Sequence, residues 1–367
     1  MLFQSTLRKE LARSFGATLV VLITIVMTMM LIRVLGQTTR GAVNPSEVMV
    51  VMGYTVLGQL ATILALSLFI AIVSTVSRMY RDSEMVIWFT SGIGLVGFLR
   101  PLVRFAWPVL LVITALALVV WPWSNQQTQD MKDRYEKRGD LERVAPGQFQ
   151  ESAAGNRVFF IDKSSPDEKT GKNIFIAANE QGKEAVTSAQ SGRVENGGDG
   201  RFLLLNNGQR LENNASDKRV KISHFEEYGT RIGGNVVSDA SPIPTHSRTT
   251  AALVREPNAA NLGQLAWRIG LALAAINFIG LALAASTSNP RAGRSGNLLF
   301  ALFAFILYYN LLNLGQTWIT LGKINFAGML FGLHGTVFVL VALWLGKLHL
   351  HWSWRYLWPA RRPEPGT

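Results

Sequence analysis

The chain of 367 residues combines 49% hydrophobic with only 16% charged residues, well below the charge content of a typical soluble domain. It contains no cysteine, which excludes a disulfide framework, a cysteine-ligated zinc site and a lipid-anchored cysteine. The net charge of +12 would suit a nucleic-acid-binding protein, but residues 123–261 are neutral, with 19 basic and 19 acidic side chains. The excess of positive charge therefore lies in the apolar parts of the chain. This distribution indicates a membrane protein and argues against nucleic acid as a partner.

Six apolar segments are long enough to cross a hydrocarbon core, which needs about 20 helical residues. These predicted spans are Ala17–Leu35, Tyr54–Val76, Leu102–Trp121, Leu262–Ala285, Leu298–Trp318 and Ala327–Leu345. The first run is longer than the apolar core of a signal peptide, about 7–15 residues, and no small-residue cleavage site follows it. We therefore expect an uncleaved first span and an α-helical integral membrane protein with six transmembrane helices.

Basic residues near the span ends are distributed unequally between the two sides of the membrane. If both termini are cytoplasmic, thirteen Lys and Arg residues lie on the cytoplasmic side and four on the other. This bias predicts cytoplasmic termini and a central insert outside the cytoplasm. The expected organisation is spans one to three in residues 1–122, the insert in residues 123–261, and spans four to six with a cytoplasmic tail in residues 262–367.

The insert changes from helical to β-type composition. Residues 126–143 are polar and should continue span three as a helix beyond the membrane. Within residues 147–240, runs of β-forming residues alternate with turn residues, which predicts an all-β jelly roll or sandwich of about six to eight strands. The predicted strands are Arg157–Ile161, Asn173–Ala177, Ala185–Ala189, Arg201–Leu205 and Val220–Phe225. Residues 196–200 and the Asn207-Gly208 pair predict hairpin turns, the second of type I′, and residues 241–257 predict a linker to span four.

Motifs for catalysis are absent from the sequence. It has no phosphate-binding loop of the form G-x-x-x-x-G-K-[S/T], no H-E-x-x-H and no G-x-S-x-G. The five histidines are scattered, and His349 and His351, two residues apart, would point to different faces of a helix. We therefore expect no enzyme activity in this chain, no metal site and no cofactor.

The loop between spans two and three predicts a short cytoplasmic helix near residues 79–91. Asp82 and Ser83 are typical of a helix start, and Gly92 is typical of its end. The side chains available for packing are Met85, Ile87, Trp88 and Phe89. Glu84 at the head of this helix has two interpretations: it could dock into another subunit, or it could cap the helix, where the dipole favours an acidic residue by about 0.3–1 kcal/mol.

Four cations lie on the side of the membrane that carries the insert: Arg33, Arg40, Arg268 and Lys323. Arg33 and Arg268 fall within predicted spans, where an ionisable group costs about 2.5–3.5 kcal/mol and usually faces a cavity or a partner. Because arginine forks onto phosphate oxygens, these cations would suit an anionic lipid headgroup. The alternative is that both arginines extend to the interface and serve no ligand.

Three spans, a β-rich insert and three further spans resemble the lipopolysaccharide-export permeases of the LptF/LptG family. The motifs that carry the resemblance are Arg33-Val-Leu-Gly36, Leu66–Phe69, Tyr80–Met85 with Ser91-Gly92, Pro122–Ser124, Gly147–Gln150, Leu265–Ile269 and Asn289–Arg294. The first of these, with Gly147–Gln150, favours the F branch of the family over the G branch. The tail from Trp352 to Thr367 has no counterpart in the resemblance.

The resemblance implies a multi-pass protein of the inner membrane of a Gram-negative bacterium. It would be an ABC-transporter permease that extracts lipopolysaccharide from the periplasmic leaflet and passes it to a periplasmic bridge. The implied partners are an LptG-like permease, an LptB-like ATPase dimer and LptC/LptA-like jelly-roll proteins, besides lipopolysaccharide itself. The rival hypothesis is a membrane-anchored envelope scaffold whose β-domain binds a partner without transport, and such a protein would not need the cytoplasmic helix.

The resemblance also implies roles for particular residues. Glu84, with Arg81, Asp82 and Trp88, would contact the ATPase, while Arg33, Arg40, Arg268 and Lys323 would bind lipopolysaccharide. Val158, Phe160, Phe175 and Leu204 would line an apolar path through the β-domain, because alternate residues of a strand share one face. The alternative for these four residues is a closed core that only supports the fold.

Overall fold

The computed structural model describes residues 2–39, 43, 45–137, 149–151, 157–160, 162, 170–180, 183–197, 200–214, 219–232, 243–286 and 294–349. The chain divides into two compact units. The first comprises Met1–Met30, Gly53–Gln126 and Pro244–Thr367, and the second comprises Leu31–Met52 and Gln127–Ile243. Helices dominate the first unit, and the second contains the β-sheet.

Among the described residues, six helical segments are long and apolar enough to cross a membrane, which confirms the six predicted spans. The helices are α1 (Leu2–Thr39), α2 (Val48–Arg81), α3 (Glu84–Thr90), α4 (Leu99–Ala115), α5 (Trp121–Lys137), α6 (Thr250–Arg255), α7 (Ala259–Ala285), α8 (Arg294–Thr320), α9 (Phe326–Met329) and α10 (Thr336–His349). Single π-helical turns join α4 to α5 and α9 to α10, so each pair forms one span. The predicted polar extension of span three is confirmed as far as Lys137, and its last residues lie outside the described part.

The core of the helical unit is built on α2 and α7, the most buried of the six spans. Phe278 of α7 stacks on Phe69 of α2 and on Phe305 of α8, with ring centroids 4.7 and 5.2 Å apart. Span one is the least buried, and large apolar side chains along α1 stay exposed. In a bilayer such a face meets lipid or a partner subunit.

The insert forms one six-stranded antiparallel sheet among the described residues, with the strands in sequential order. They are β1 (Gln150–Glu151), β2 (Arg157–Phe160), β3 (Thr170–Glu180), β4 (Lys183–Gly197), β5 (Gly200–Asn214) and β6 (Arg219–Ile232). All five predicted strands are confirmed among the described residues, and four of them are longer than predicted. Ile161, the predicted last residue of the first strand, lies outside the described residues. Gly197 pairs with Gly200, which confirms the hairpin turn at residues 196–200, although residues 198 and 199 lie outside the described part.

The predicted type I′ turn at Asn207-Gly208 is wrong, because both residues lie inside β5. Asn207 has φ of 50°, and Asn173 in β3 has φ of 49°, both in the left-handed region that asparagine tolerates. The pairing between neighbouring strands is interrupted at one position in each of four adjacent strands: Asn173 in β3, Gln190 in β4, Asn207 in β5 and Glu226 in β6. These positions lie opposite one another, and the pairing has the same register on both sides of them. The Asn-Gly pair that predicted a turn between strands therefore lies within a long strand. We call the line of interrupted pairing across β3 to β6 the crease.

The core of the sheet collects side chains from both sides of this crease. Phe159, Ile174, Ile176 and Ala189 on one side pack with Leu203 and Leu205 on the other. The left-handed residue interrupts the simple alternation along β5: Leu205 is buried, and Gly208, three residues later, pairs with buried Ala189. The long strands thus enclose a core by bending, without a second sheet in the described residues.

Candidate functional site

Helix α3, the predicted cytoplasmic helix, ends in a Schellman motif. Gly92 has φ of 84° and donates its N–H to the carbonyl of Phe89, while Ile93 donates to Trp88. The predicted stop at Gly92 is therefore confirmed. Ser83 stands just before the helix, as predicted, but its φ is 60° and its side chain makes no capping hydrogen bond. Its backbone carbonyl accepts from the N–H of Val86 instead.

A cluster of charges holds the start of α3. The guanidinium of Arg78, near the end of α2, contacts the carboxylates of Glu84 at 2.9 Å, Asp82 at 3.1 Å and Glu10 of α1. Within the described residues Arg81 forms an ion pair only with Asp82, at 3.5 Å. Arg78 thus links α1, α2 and α3 through ion pairs. The cluster contains three carboxylates and two guanidinium groups, so its formal charge is negative. Neither this role of Arg78 nor its contact with Glu10 was predicted from the sequence.

The outer face of α3 is apolar. Val86, Ile87 and Phe89 are 58%, 65% and 41% exposed, whereas Met85 is buried in the core of the helical unit. Trp88 is half-buried and packs against the same core, so it supports the helix from beneath. Of the predicted packing residues, Ile87 and Phe89 face outward and Met85 and Trp88 face inward. We call the surface formed by Glu84, Val86, Ile87 and Phe89 the docking face.

The four predicted lipid-binding cations have different environments. Arg33 on α1 is exposed and has no ion pair or hydrogen bond within the described residues, while its neighbour Val34 is buried. Lys323 is exposed in the turn between α8 and α9. Arg40 lies outside the described residues. Of the four predicted cations, Arg33 and Lys323 are therefore the two whose described side chains are accessible to a ligand.

Arg268 is completely buried. Its guanidinium donates to the hydroxyl of Thr250 at 2.7 Å and to the carbonyls of Arg248 at 2.8 Å and His246 at 3.4 Å. It also lies over the ring of Trp121, 5.2 Å from the centroid. Arg268 thus secures the chain that returns from the insert onto α7, and contact with a lipid would require this segment to move away.

An open cavity of about 960 Å³ lies along the crease and includes the face of the sheet that carries Phe160 and Phe175. Phe160 and Phe175 pair across β2 and β3 and line it, and Phe149 covers Phe160 at a centroid distance of 4.8 Å. Val158 shares this face. Leu204 lies on the strand beside Gly229, with its side chain half-buried. These four predicted residues are half-buried, whereas the fully buried core uses their strand neighbours, among them Phe159, Ile174 and Leu205.

A second cavity, of about 460 Å³, lies within the helical unit, and sequence reasoning missed it. We call it the amide cavity. It is lined by Gln59, Trp121, Thr245, His246, Ala260, Gln264, Trp267, Tyr309, Asn313, Gln316 and Thr320. The amides Gln59, Gln264, Asn313 and Gln316 lie inside otherwise apolar spans. Because polar groups at membrane depth need partners, they were the sequence signal that could have indicated this cavity.

Comparisons with known proteins agree with this architecture. Residues 6–347 match the family model described as "Lipopolysaccharide export system permease LptF/LptG". The chain is 27% identical over 307 residues to the lipopolysaccharide export system permease protein LptF of Escherichia coli K12, which covers 82% of each chain. The LptF proteins of Escherichia coli O157:H7 and Shigella flexneri match to the same extent. The chain is therefore an inner-membrane, multi-pass member of the lipopolysaccharide export permease family LptF/LptG.

Proposed function

We propose that this chain is the F-type permease subunit of an ABC transporter that extracts lipopolysaccharide from the periplasmic leaflet of the inner membrane. It would then pass the lipid to a periplasmic bridge towards the outer membrane. The partners are an LptG-like permease, an LptB-like ATPase dimer, and LptC/LptA-like jelly-roll proteins. Family membership supports the lipid substrate, and the docking face is the observation that carries the ATP-driven role.

The docking face has the chemistry of a protein contact. Three exposed apolar side chains lie beside Glu84, whose carboxylate is contacted only by Arg78 among the described residues. Burying such a patch against a groove would stabilise a complex, and an oriented carboxylate would add a charge-assisted hydrogen bond. The excess of basic residues near the termini supports a cytoplasmic position for α3, where the ATPase would be available.

Ion pairs could carry motion from the docking face to the spans. Arg78 joins Glu84 of α3 to Glu10 of α1, so a displacement of α3 by the ATPase would also act on α1. Helix α1 is the most exposed span and carries Arg33 near its far end. We propose that α1 faces a cavity shared with the LptG-like subunit. There Arg33, helped by Arg40 and Lys323, would contact the phosphates of lipopolysaccharide.

Substitution of Glu84 tests the proposed function. The chain is purified with its native ATPase and second permease, and two variants are compared: Glu84→Gln, and Glu10→Gln as a control that loses a carboxylate on the same Arg78. We expect Glu84→Gln to weaken ATPase association roughly ten- to a hundred-fold, as for a lost charge-assisted contact of about 1.5–3 kcal/mol. Glu10→Gln should retain the ATPase, because a partly exposed ion pair contributes little.

Reconstitution in liposomes separates transport from scaffolding. ATP-dependent release of lipopolysaccharide to a soluble jelly-roll acceptor is expected from the parent complex and not from Glu84→Gln. A parent chain that copurifies with no ATPase, or releases no lipid, would favour the envelope scaffold. A Glu84→Gln variant with normal assembly and release would leave Glu84 only the role of a helix-capping charge.

A further inference from the structure

We propose that the amide cavity binds a neutral sugar unit of the exported glycolipid. This inference rests on the proposed function and adds a site within this chain's own helices, separate from the cations discussed above. The walls come from α2, α5, α7, α8 and the turn before α6. The cavity volume of about 460 Å³ lies within the range of small-molecule sites, about 300–1,000 Å³.

The polar groups of the cavity are only partly satisfied by the protein. Trp267 donates its indole N–H to Asn313 at 3.0 Å, and Gln316 donates its amide to the carbonyl of Gln264 at 2.9 Å. No hydrogen bond in the described structure uses the amide of Gln59, the NH₂ of Gln264 or the carbonyl of Gln316. Both donors and acceptors therefore remain for an occupant.

The lining chemistry selects the class of ligand. It includes no Asp, Glu, Lys or Arg among the described residues, and nearby Arg268 directs its guanidinium to Thr250 and two backbone carbonyls. A phosphate would find no cation here, and an acyl chain would leave the amides without partners. A sugar ring fits, because each hydroxyl both donates and accepts hydrogen bonds.

Aromatic side chains supply the second element of sugar recognition. Trp121 and Trp267 lie 5.0 Å apart between ring centroids, and Tyr309 meets Trp267 edge-on at 6.4 Å. The apolar C–H face of a sugar ring can pack on such rings while its hydroxyls reach the amides. Aromatic groups at a wet interface combine an apolar body with a polar edge in this way.

The position of the cavity agrees with a headgroup ligand. Exposed His246 and Thr320 lie at its mouth, where the chain returns from the insert and where α8 ends. In the proposed orientation this end of the bundle is at the periplasmic leaflet, the level of the sugars of lipopolysaccharide. A sugar held here would add recognition of the carbohydrate to recognition of the phosphates.

Binding of two lipids that differ only in their sugars tests the inference. The full complex in nanodiscs is titrated with lipopolysaccharide that carries core sugars and with lipid A that lacks them. Gln59→Leu removes an amide that has no hydrogen-bond partner among the described residues, so folding should be preserved, and Ala260→Phe narrows the cavity independently. Asn310→Leu is the control, because Asn310 is an exposed amide on α8 whose NH₂ donates to its own helix.

We expect Gln59→Leu to raise the dissociation constant for lipopolysaccharide about tenfold, as for one lost hydrogen bond. Ala260→Phe should raise it by excluding the sugar from the cavity, and both variants should leave the dissociation constant for lipid A unchanged. Equal affinity of the parent for both lipids, or unchanged binding by both variants, would overturn the inference and leave a cavity that holds only water. A parent complex that binds neither lipid would instead contradict the proposed function.

Discussion

At the scale of single residues, Arg268 shows that a buried cation in a span can have a structural role. Its guanidinium supplies hydrogen bonds to three oxygen atoms of the returning chain, two of them backbone carbonyls. Hydrogen bonds to a charged group contribute about 1.5–3 kcal/mol, and removing the donor leaves buried acceptors unsatisfied. We infer that Arg268 fixes the start of α7 and that its loss would release residues 243–256.

We therefore predict that Arg268→Met lowers the stability of the purified complex by about 2–3 kcal/mol, because the charged donor is lost and the volume is roughly kept. Thermal unfolding and limited proteolysis between Pro244 and Glu256 would measure this. Arg248→Gln is the control: it breaks an exposed ion pair to Glu256, 3.0 Å long, in the same segment and should change little. If Arg268→Met has normal stability but no longer binds lipid, Arg268 contacts the lipid and is not needed for the fold.

At the scale of elements, the crease in the β-sheet depends on asparagine in the left-handed conformation. Asn207 and Asn173 interrupt two long strands at opposed positions along one line. A β-branched residue in this conformation is strained by about 1–3 kcal/mol, whereas glycine accepts it readily. The bend, and with it the enclosed core, should therefore be sensitive to the residue at position 207.

We predict that Asn207→Val destabilises the β-domain by about 1–3 kcal/mol and that Asn207→Gly is tolerated. The neighbouring Asn206→Val, at a regularly paired strand position, is the matched control and should be neutral, since valine favours strands. Thermal unfolding of the intact chain, with proteolysis to localise the change, gives the comparison. Equal effects at positions 206 and 207 would mean that the crease does not depend on this backbone conformation.

At the scale of the whole molecule, the proposed transport connects the ATPase, Arg33 and the open cavity of the β-domain. We predict that a photo-crosslinking residue at Phe160 captures lipopolysaccharide only when ATP is hydrolysed. Arg33→Glu should abolish this capture, and Arg33→Lys should reduce it only partly, because a point charge on the phosphate remains. The matched control is the same probe at Ile222, an exposed aliphatic residue of β6 outside the cavity.

Three results would contradict parts of this path. Capture at Ile222 as efficient as at Phe160 would indicate non-specific contact with the sheet. Capture by a probe in the partner permease, with none at Phe160, would make this β-domain a support and place the lipid path in the partner. Unchanged capture and export by Arg33→Glu would mean that Arg33 only extends to the interface.

The sequence by itself determined the six spans, the strands and the end of α3. Twenty apolar residues in a row can satisfy their backbone in a bilayer only as a helix, and glycine after a helix accepts the left-handed conformation that ends it. These signals are local, so they can be read without the fold. The same is true of the motifs that indicated the LptF/LptG family.

Only the tertiary structure decided what depends on distant partners. The burial of Arg268 follows from carbonyls about 20 residues away, and the cluster around Glu84 depends on Glu10, far away in the chain. The Asn207-Gly208 pair favours a left-handed backbone both in a hairpin turn and inside a strand. Because the residues on both sides of it pair with β4 and β6, it lies in the crease and does not form a turn. The amide cavity likewise exists only because four separate spans and a returning turn bring their side chains to one place.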